Sequence, residues 1–213
     1  EGAGNRAAVL AKADLQSKLV FEFPELQGLM GREYALRGGE KAEVANAIAE
    51  HHQPRGSSDS VPASDLGAIL SIADRLDTIA GIFGIGAKPT GSTDPYGLRR
   101  HSLAVLSICR SKGYPLALPA LLVKAAEGYA AGKIDVKAGA GDGLEYVKGR
   151  LENMLRDEGL APDAVVAALS ARFDDPIDAA ARAQAIAELK KSPDFAVVGD
   201  AFKRSAGILA QAK

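Results

Sequence analysis

Residues 64–83 read SDLGAILSIADRLDTIAGIF. Apolar side chains recur in this stretch at spacings of three and four, which is the period of one face of an α-helix. Ser64 is a favoured N-cap residue, so a long helix is predicted to begin just after it. We expect that helix to bury a stripe made of Leu66, Ile69, Leu70, Ala73, Leu76, Ala80 and Phe83.

The same spacing recurs on both sides of this stretch. Alternating apolar and polar runs bounded by turns are almost absent, and we therefore predict an all-α fold. Further helices are expected over residues 6–21, 24–37, 40–52, 95–112, 118–131, 143–158, 162–171 and 179–191, with a last one after Ser192 or Asp194.

Two glycine-rich segments interrupt the helical pattern. Residues 84–97 (GIGAKPTGSTDPYG) should form an ordered loop, in which Asp94 and Pro95 are typical of the N-cap and first turn of the next helix. Residues 138–143 (AGAGDG) are flexible in composition and are the best candidate for an internal boundary. The two expected domains comprise residues 1–137 and 138–213.

The charge and apolar content narrow the class of protein. The 213 residues are 47% hydrophobic, which is enough to bury a core. Apolar runs fall short of the roughly 20 residues that a bilayer span requires, so we expect no membrane segment. Lys and Arg number 26 against 27 acidic residues, and the net charge of −1 gives no global attraction for nucleic acid. Any RNA contact must come from local basic patches.

Two further features indicate the compartment. The chain begins at Glu1 without a charged and apolar leader, which predicts no signal peptide and a piece of a longer protein. The single cysteine, Cys109, lies among apolar residues of an expected helix. We interpret it as a small buried hydrophobe in a reducing cytoplasm rather than as a nucleophile.

Two histidines and two aspartates form the first candidate site: His51, His52, Asp74 and Asp77. Histidines followed by carboxylates on a neighbouring helix can bind a divalent metal. The alternative is that His51 is a satisfied core histidine, while the aspartates hydrogen-bond a turn or pair with a base such as Arg75. Because sparse ligands give many false metal sites, we favour the alternative.

Three bases of the 84–100 region form the second candidate site. Arg99 and Arg100 fall in the first turns of a helix, where the positive end of the helix dipole disfavours cations. Phosphate oxygens held by these guanidinium groups and by free backbone N–H groups would stabilise them there, with Lys88 adding to the patch. Carboxylates of the protein itself would stabilise the two arginines equally well, and the candidates are Asp74, Asp77 and Glu25.

A smaller basic pair lies on the last expected helix. Lys203 and Arg204 fall off the apolar stripe and should face solvent or a partner. That stripe comprises Phe195, Val198, Phe202 and Leu209.

Several motifs resemble the beta subunit of bacterial glycyl-tRNA synthetase, in that family's order and spacing over about the first half of the chain. They are AKADL (11–15), EFPELQG (22–28), MGR (30–32), YA (34–35), VA (44–45), AI (47–48), EH (50–51), ADRLD (73–77), PTGS (89–92), DP (94–95) and LRR (98–100). FKR (202–204) and IL (208–209) are similar to the start of the family's C-terminal anticodon-binding domain, with Gly207 where the family usually carries Asn.

This resemblance implies a class II synthetase of two alpha and two beta subunits. The alpha subunit would hold the site that uses ATP, Mg and glycine, and the beta subunit would supply most of the binding of glycine tRNA. The present segment would then have no catalytic residue and no cofactor of its own. Expected RNA contacts are Lys88, Arg99 and Arg100 on the acceptor side, and Lys203 and Arg204 on the anticodon side.

The resemblance also implies that residues 1–137 form an HD-like helical domain, similar to metal-dependent phosphohydrolases. A partial helical bundle, the truncated anticodon-binding domain, would follow. An active HD site needs a His-Asp dipeptide, which the sequence lacks. If Ala13 and Asp14 occupy its place, then Asp14, His51 and Asp74 are remnants of a degenerate site without a metal. The rival hypotheses are an active HD-type phosphohydrolase and a helical module that contacts only the alpha subunit.

Overall fold

The computed structural model describes residues 2–56, 58–90 and 93–211. These residues form α-helices and short 3-10 helices without a strand, apart from an isolated bridge between Thr90 and Thr93, which confirms the all-α prediction. The α-helices are α1 (Ala3–Leu10), α2 (Lys18–Glu22), α3 (Leu29–Arg37), α4 (Ala42–Glu50), α5 (Asp65–Gly84), α6 (Leu98–Lys112), α7 (Leu118–Glu127), α8 (Val136–Asp157), α9 (Pro162–Ala171), α10 (Pro176–Leu189) and α11 (Asp194–Gln211). None of the described helices combines the length and the apolar character that crossing a bilayer requires.

Helix α5 begins where the sequence predicts it. The Ser64 hydroxyl accepts the backbone N–H three residues later at 3.0 Å, which confirms the predicted N-cap. The expected stripe is partly wrong, because Ile69 and Ala73 are exposed while Ile72 and Ile79 are buried. The buried face is rotated because α6, α7 and α8 all pack against α5 from that direction.

The buried side chains form two apolar clusters. The larger joins α5 to α6, α7, α8, α9 and α10, with Ile79, Leu122 and Leu151 fully buried. The smaller joins α1, α3 and α4 to Leu70 of α5, around Ile48. Helix α5 contributes to both clusters and therefore fixes the positions of α4, which His51 and His52 follow, and of α6, which carries Arg99 and Arg100.

Cys109 lies within the larger cluster with no exposed surface. Burial raises the pKa of its thiol to about 12, so the thiol stays protonated at neutral pH. The interpretation of this residue as a small buried hydrophobe is confirmed.

The N-terminal segment is not the single helix expected over residues 6–21. Helix α1 ends at Leu10, a 3-10 helix follows at Ala13–Gln16, and α2 begins at Lys18. The break turns Asp14 inward, where its carboxylate accepts backbone N–H groups of the chain segment that begins α3. Val9 of α1 is 74% exposed.

The segment 138–143, predicted to be flexible, forms part of the N-terminal half of α8. Asp135 caps this helix by accepting the N–H groups of the second and third residues that follow it. A Cβ at Gly139 would lie 2.6 Å from the carbonyl oxygen of Ala80 in α5, so glycine there permits close helix packing. The prediction of flexibility is therefore wrong. The division into residues 1–137 and 138–213 would place a boundary inside α8, and that division stays a prediction.

Replacing Gly139 with Ala should test this close packing. The added methyl group meets backbone rather than a movable side chain, so α8 must shift, and we expect the free energy of unfolding to fall by about 1–3 kcal/mol. Gly141→Ala is the matched control, because the exposed Gly141 has open space around its Cβ position. This control should gain up to about 1 kcal/mol from helix propensity. Urea denaturation followed by circular dichroism measures both, and equal gains in the two variants would contradict close packing.

The C-terminal helices follow the expected order with shifted bounds. Helix α9 matches its predicted range, and α10 begins at Pro176, three residues early, because Asp175 caps it. Helix α11 begins at Asp194, between the two predicted starts, which were directly after Ser192 and directly after Asp194.

The apolar stripe expected on α11 is exposed in the described structure. Phe195 is 37% exposed, Val198 57% and Phe202 74%, while the side chain of Leu209 lies outside the described part of the chain. Lys203 and Arg204 are also exposed on this helix.

Candidate nucleic-acid interface

The loop before α6 positions two of the predicted RNA-binding arginines. Helix α6 begins at Leu98 rather than at Pro95, because Gly97 takes the N-cap position with φ 67°. The Asp94 carboxylate caps the helix from outside, accepting the N–H of Leu98 at 2.8 Å and of Arg99 at 2.9 Å. These two amides, which we expected to be free for phosphate, are occupied. The same carboxylate supplies the negative charge that stabilises cations at this helix start.

Arg99 extends toward a row of side chains on α8. Asp142, Tyr146 and Arg150 are four residues apart and therefore lie on one face of that helix. Burial raises the pKa of the Tyr146 phenol, and the positive charges of Arg150 and Arg99 oppose that increase. The Arg150 guanidinium lies 5.0 Å from the centre of the Tyr146 ring, within cation–π range. Two cationic groups thus share Tyr146 as a neighbour.

Lys88 meets the same row of α8 one turn earlier. Its ammonium group forms a 2.6 Å ion pair with Asp142, and both side chains are about half exposed. An exposed pair of this kind contributes little to stability, so Lys88 can exchange this partner for a phosphate at small cost.

Arg100 extends to a different neighbour. It lines a cavity of about 550 Å³ together with Arg55 and Arg150. The Arg55 guanidinium donates to the backbone oxygens of Glu25 at 3.2 Å and Gln27 at 2.6 Å, which fixes its position. We call the surface formed by Lys88, Arg99, Arg100, Arg150 and Arg55 the loop–α8 surface. Sequence reasoning missed Arg55 and Arg150, because each is an isolated base that only the folded chain brings next to Arg100.

The other predicted basic pair lies on α11. Lys203 and Arg204 are exposed on α11, and no described hydrogen bond or ion pair links them to Lys88, Arg99 or Arg100.

The metal-site candidates each have another partner. Asp14 is buried and accepts the N–H of Gly28 at 2.7 Å and of Gly31 at 3.0 Å. Asp74 forms an ion pair with Lys12. Asp77 accepts from the Tyr129 hydroxyl at 3.2 Å. Among the described residues, no group of three or more His, Cys, Asp or Glu side chains could hold a metal ion.

Of the histidines of this region, His51 is buried, while His52 and His101 are partly buried. His51 has no exposed surface, and its Nδ1 lies 2.6 Å from the Ile48 carbonyl oxygen, which it reaches as a donor. The His51 and His52 rings are 3.8 Å apart between centroids. Burial lowers the pKa of His51 and His101, and it lowers the pKa of His52 to about 3, so all three rings are neutral at pH 7. His51 is thus the core histidine that we predicted, but it is only half satisfied, because its Nε2 is buried without a described hydrogen-bond partner.

Arg75 holds the loop that follows these histidines. Its guanidinium donates to the carbonyl oxygens of His51 at 3.4 Å, His52 at 3.0 Å and Pro54 at 2.9 Å. Pairing of Asp74 or Asp77 with Arg75 was one of the two options that we predicted for these aspartates. In the structure Arg75 hydrogen-bonds backbone oxygens, and Asp74 pairs with Lys12. The loop carrying Arg55 is thereby held against α5.

Comparison with known proteins shows the family to which the chain belongs. The model of the glycyl-tRNA synthetase beta subunit family matches residues 2–170. The glycine–tRNA ligase beta subunit of Geobacter metallireducens is 51% identical over 210 residues, which cover 96% of this chain and 30% of that protein. The corresponding subunit of Geobacter sulfurreducens is 51% identical and that of Syntrophotalea carbinolica 47%, with the same shares covered. The chain thus spans about 30% of the length of these relatives, and it belongs to the glycyl-tRNA synthetase beta subunit family.

Proposed function

We propose that this chain is a tRNA-binding and assembly portion of a glycine–tRNA ligase beta subunit. In this proposal it contacts the alpha subunit and glycine tRNA within an assembly of two alpha and two beta subunits in the cytoplasm. ATP, Mg and glycine are used at the alpha-subunit active site, and this segment adds neither a catalytic residue nor a cofactor. The proposal rests on the family to which the chain belongs.

The observation that supports an RNA role is the gathering of bases on the loop–α8 surface. Arg99 and Arg100 follow each other on α6, yet one meets Tyr146 of α8 and the other meets Arg55 of the loop after α4. Five cationic side chains from three chain segments therefore lie around α8, interspersed with the carboxylates of Asp59, Asp142, Asp157 and Glu158, in a chain whose net charge is −1. A local concentration of this kind is what phosphate binding by a nearly neutral protein needs.

Replacing both Arg99 and Arg100 with Ala should weaken tRNA binding. Removing two phosphate contacts should flatten the dependence of log Kd on log salt by roughly one unit per contact. Fluorescence anisotropy of labelled glycine tRNA, titrated with the protein at several salt concentrations, measures both quantities. The helical fold should persist, because neither side chain belongs to an apolar cluster.

The matched control removes two exposed bases elsewhere. Arg37 and Lys41 are exposed at the α3–α4 connection, so their double Ala variant loses the same charge away from the loop–α8 surface. It should bind tRNA nearly as the parent does. An unchanged Kd and salt slope in the Arg99 and Arg100 variant would remove this surface from RNA binding, and retained capture of the alpha subunit would then leave assembly as its role.

The contacts of His51 and Asp74 disfavour the rival hypothesis of an active phosphohydrolase. That hypothesis requires a metal ion bound by His51 and Asp74, but the Asp74 carboxylate already forms an ion pair with the ammonium group of Lys12. His51 uses one ring nitrogen to bond backbone and has no exposed surface. These contacts oppose a divalent cation at this position.

A further inference from the structure

A second cavity, of about 420 Å³, is lined by Asp74, one of the three residues suggested as remnants of a metal site. Four cationic side chains and one carboxylate line it, namely Lys12, Arg55, Arg75, Arg100 and Asp74. Its size falls within the range of small-molecule sites in proteins. The charge of the lining is opposite to that of a site built for a divalent cation.

The single carboxylate of this cavity is already neutralised. Asp74 forms an ion pair with Lys12, and its side chain is 20% exposed against 49% for Lys12. Among the described residues, no carboxylate forms an ion pair with the guanidinium group of Arg55, Arg75 or Arg100. The Asp74 carboxylate favours the charge of Arg75, but the positive groups of the lining still outnumber this one carboxylate.

The excess of positive charge is costly at Arg75, because this residue is only 6% exposed and water cannot solvate its guanidinium group well. Burial lowers the pKa of its guanidinium, so its surroundings disfavour the charge. Its hydrogen bonds go to neutral carbonyl oxygens, and its Nε is buried without a described partner. A buried cation of this kind is stabilised when an anion enters the adjoining cavity.

We infer that this cavity binds a phosphate group, with Arg55 and Arg100 donating to its oxygens and buried Arg75 supplying charge behind them. Paired guanidinium groups match the geometry of phosphate oxygens. The phosphate comes either from an RNA strand or from a free phosphate compound. The RNA source rests on the proposed function, because Arg100 also belongs to the loop–α8 surface, whereas binding of free phosphate does not depend on it.

A charge reversal inside the cavity tests this inference. Thr78 lines the cavity, and its hydroxyl donates to the Asp74 carbonyl oxygen of its own helix. Thr78→Glu places a carboxylate there, and Thr78→Gln is the control of the same size without the charge. Isothermal titration of the purified chain with inorganic phosphate, at constant ionic strength, should show millimolar or tighter binding to the parent and to Thr78→Gln. Binding to Thr78→Glu should be at least about tenfold weaker.

A second variant keeps the test decisive if Thr78→Glu fails to fold. Asp74→Asn removes the only carboxylate of the lining and should tighten phosphate binding several-fold. Competition between phosphate and glycine tRNA would identify the RNA strand as the source, and binding without competition would identify a free phosphate compound. Absence of millimolar phosphate binding by the parent, or equal binding by both Thr78 variants, would overturn the inference. Neither result would alter the outcome expected for the Arg99 and Arg100 variant on tRNA.

Discussion

Replacing Asp14 with Ala should lower the free energy of unfolding by roughly 2–5 kcal/mol, because two buried N–H groups lose their acceptor. The Asp14 carboxylate is 2% exposed, and one of its oxygens accepts from both Gly28 and Gly31. These amides begin α3, whose N-cap Gly28 has no side chain to cap them. Urea denaturation followed by circular dichroism measures the change.

Asp14→Asn separates the acceptor from the negative charge. The amide oxygen of Asn can accept the same two N–H groups, so this variant should lose clearly less stability than Asp14→Ala. A loss no larger than that of an exposed Asp→Ala change, about 0.5 kcal/mol, would show that Asp14 does not hold the start of α3.

The role of Asp14 illustrates why the N-terminal region could not be predicted in detail. The spacing of apolar residues continues through positions 6–21 and therefore predicts one helix. The contact that breaks it joins Asp14 to amides 14 and 17 residues later in the chain, which no local pattern reveals. By contrast, α5 has its N-cap and its apolar period within one continuous stretch, and its position was predicted correctly.

The prediction of flexibility for residues 138–143 is wrong for the opposite reason. A run of Gly and Ala is typical of a flexible linker, yet the same small residues allow two helices to approach closely. Only the position of Ala80 on α5 decides between these uses, because its carbonyl oxygen fills the space that a side chain at Gly139 would need. Composition therefore predicts a small side chain at position 139, but it does not show which atoms fill the space beside that position.

The candidate site was predicted in part. Arg99 and Arg100 were identified because cations at a helix start require a nearby negative group, and Asp94 is one such group. Arg55 and Arg150 lie far from them in sequence and carry no motif of their own, so only tertiary packing reveals them. The role of Lys12 was missed because its partner Asp74 lies on another helix.

Acid should destabilise this protein well above the range in which carboxylates titrate. His52 has a pKa of about 3 in the fold against 6.5 when exposed, so between these values the unfolded chain binds a proton that the folded chain refuses. Stability contributed by the neutral ring is complete above pH 6.5 and is lost as the pH falls toward 3, at about 1.4 kcal/mol per pH unit. Burial lowers the pKa of His51 and His101 as well, which steepens the loss just below pH 6.5.

Urea denaturation between about pH 7.5 and pH 5 measures this slope, and His52→Gln supplies the comparison. The variant also changes the contact with Gly28, whose Cβ position lies 2.3 Å from the His52 ring, so its absolute stability will differ from that of the parent. The quantity to compare is therefore the change of the free energy of unfolding with pH. The variant should take up one fewer proton on unfolding than the parent, whatever its change in packing costs. Equal slopes for parent and variant would mean that the His52 ring takes up its proton in the folded state. The loop after α4, which Arg75 holds over that ring, would then have to open to water at neutral pH.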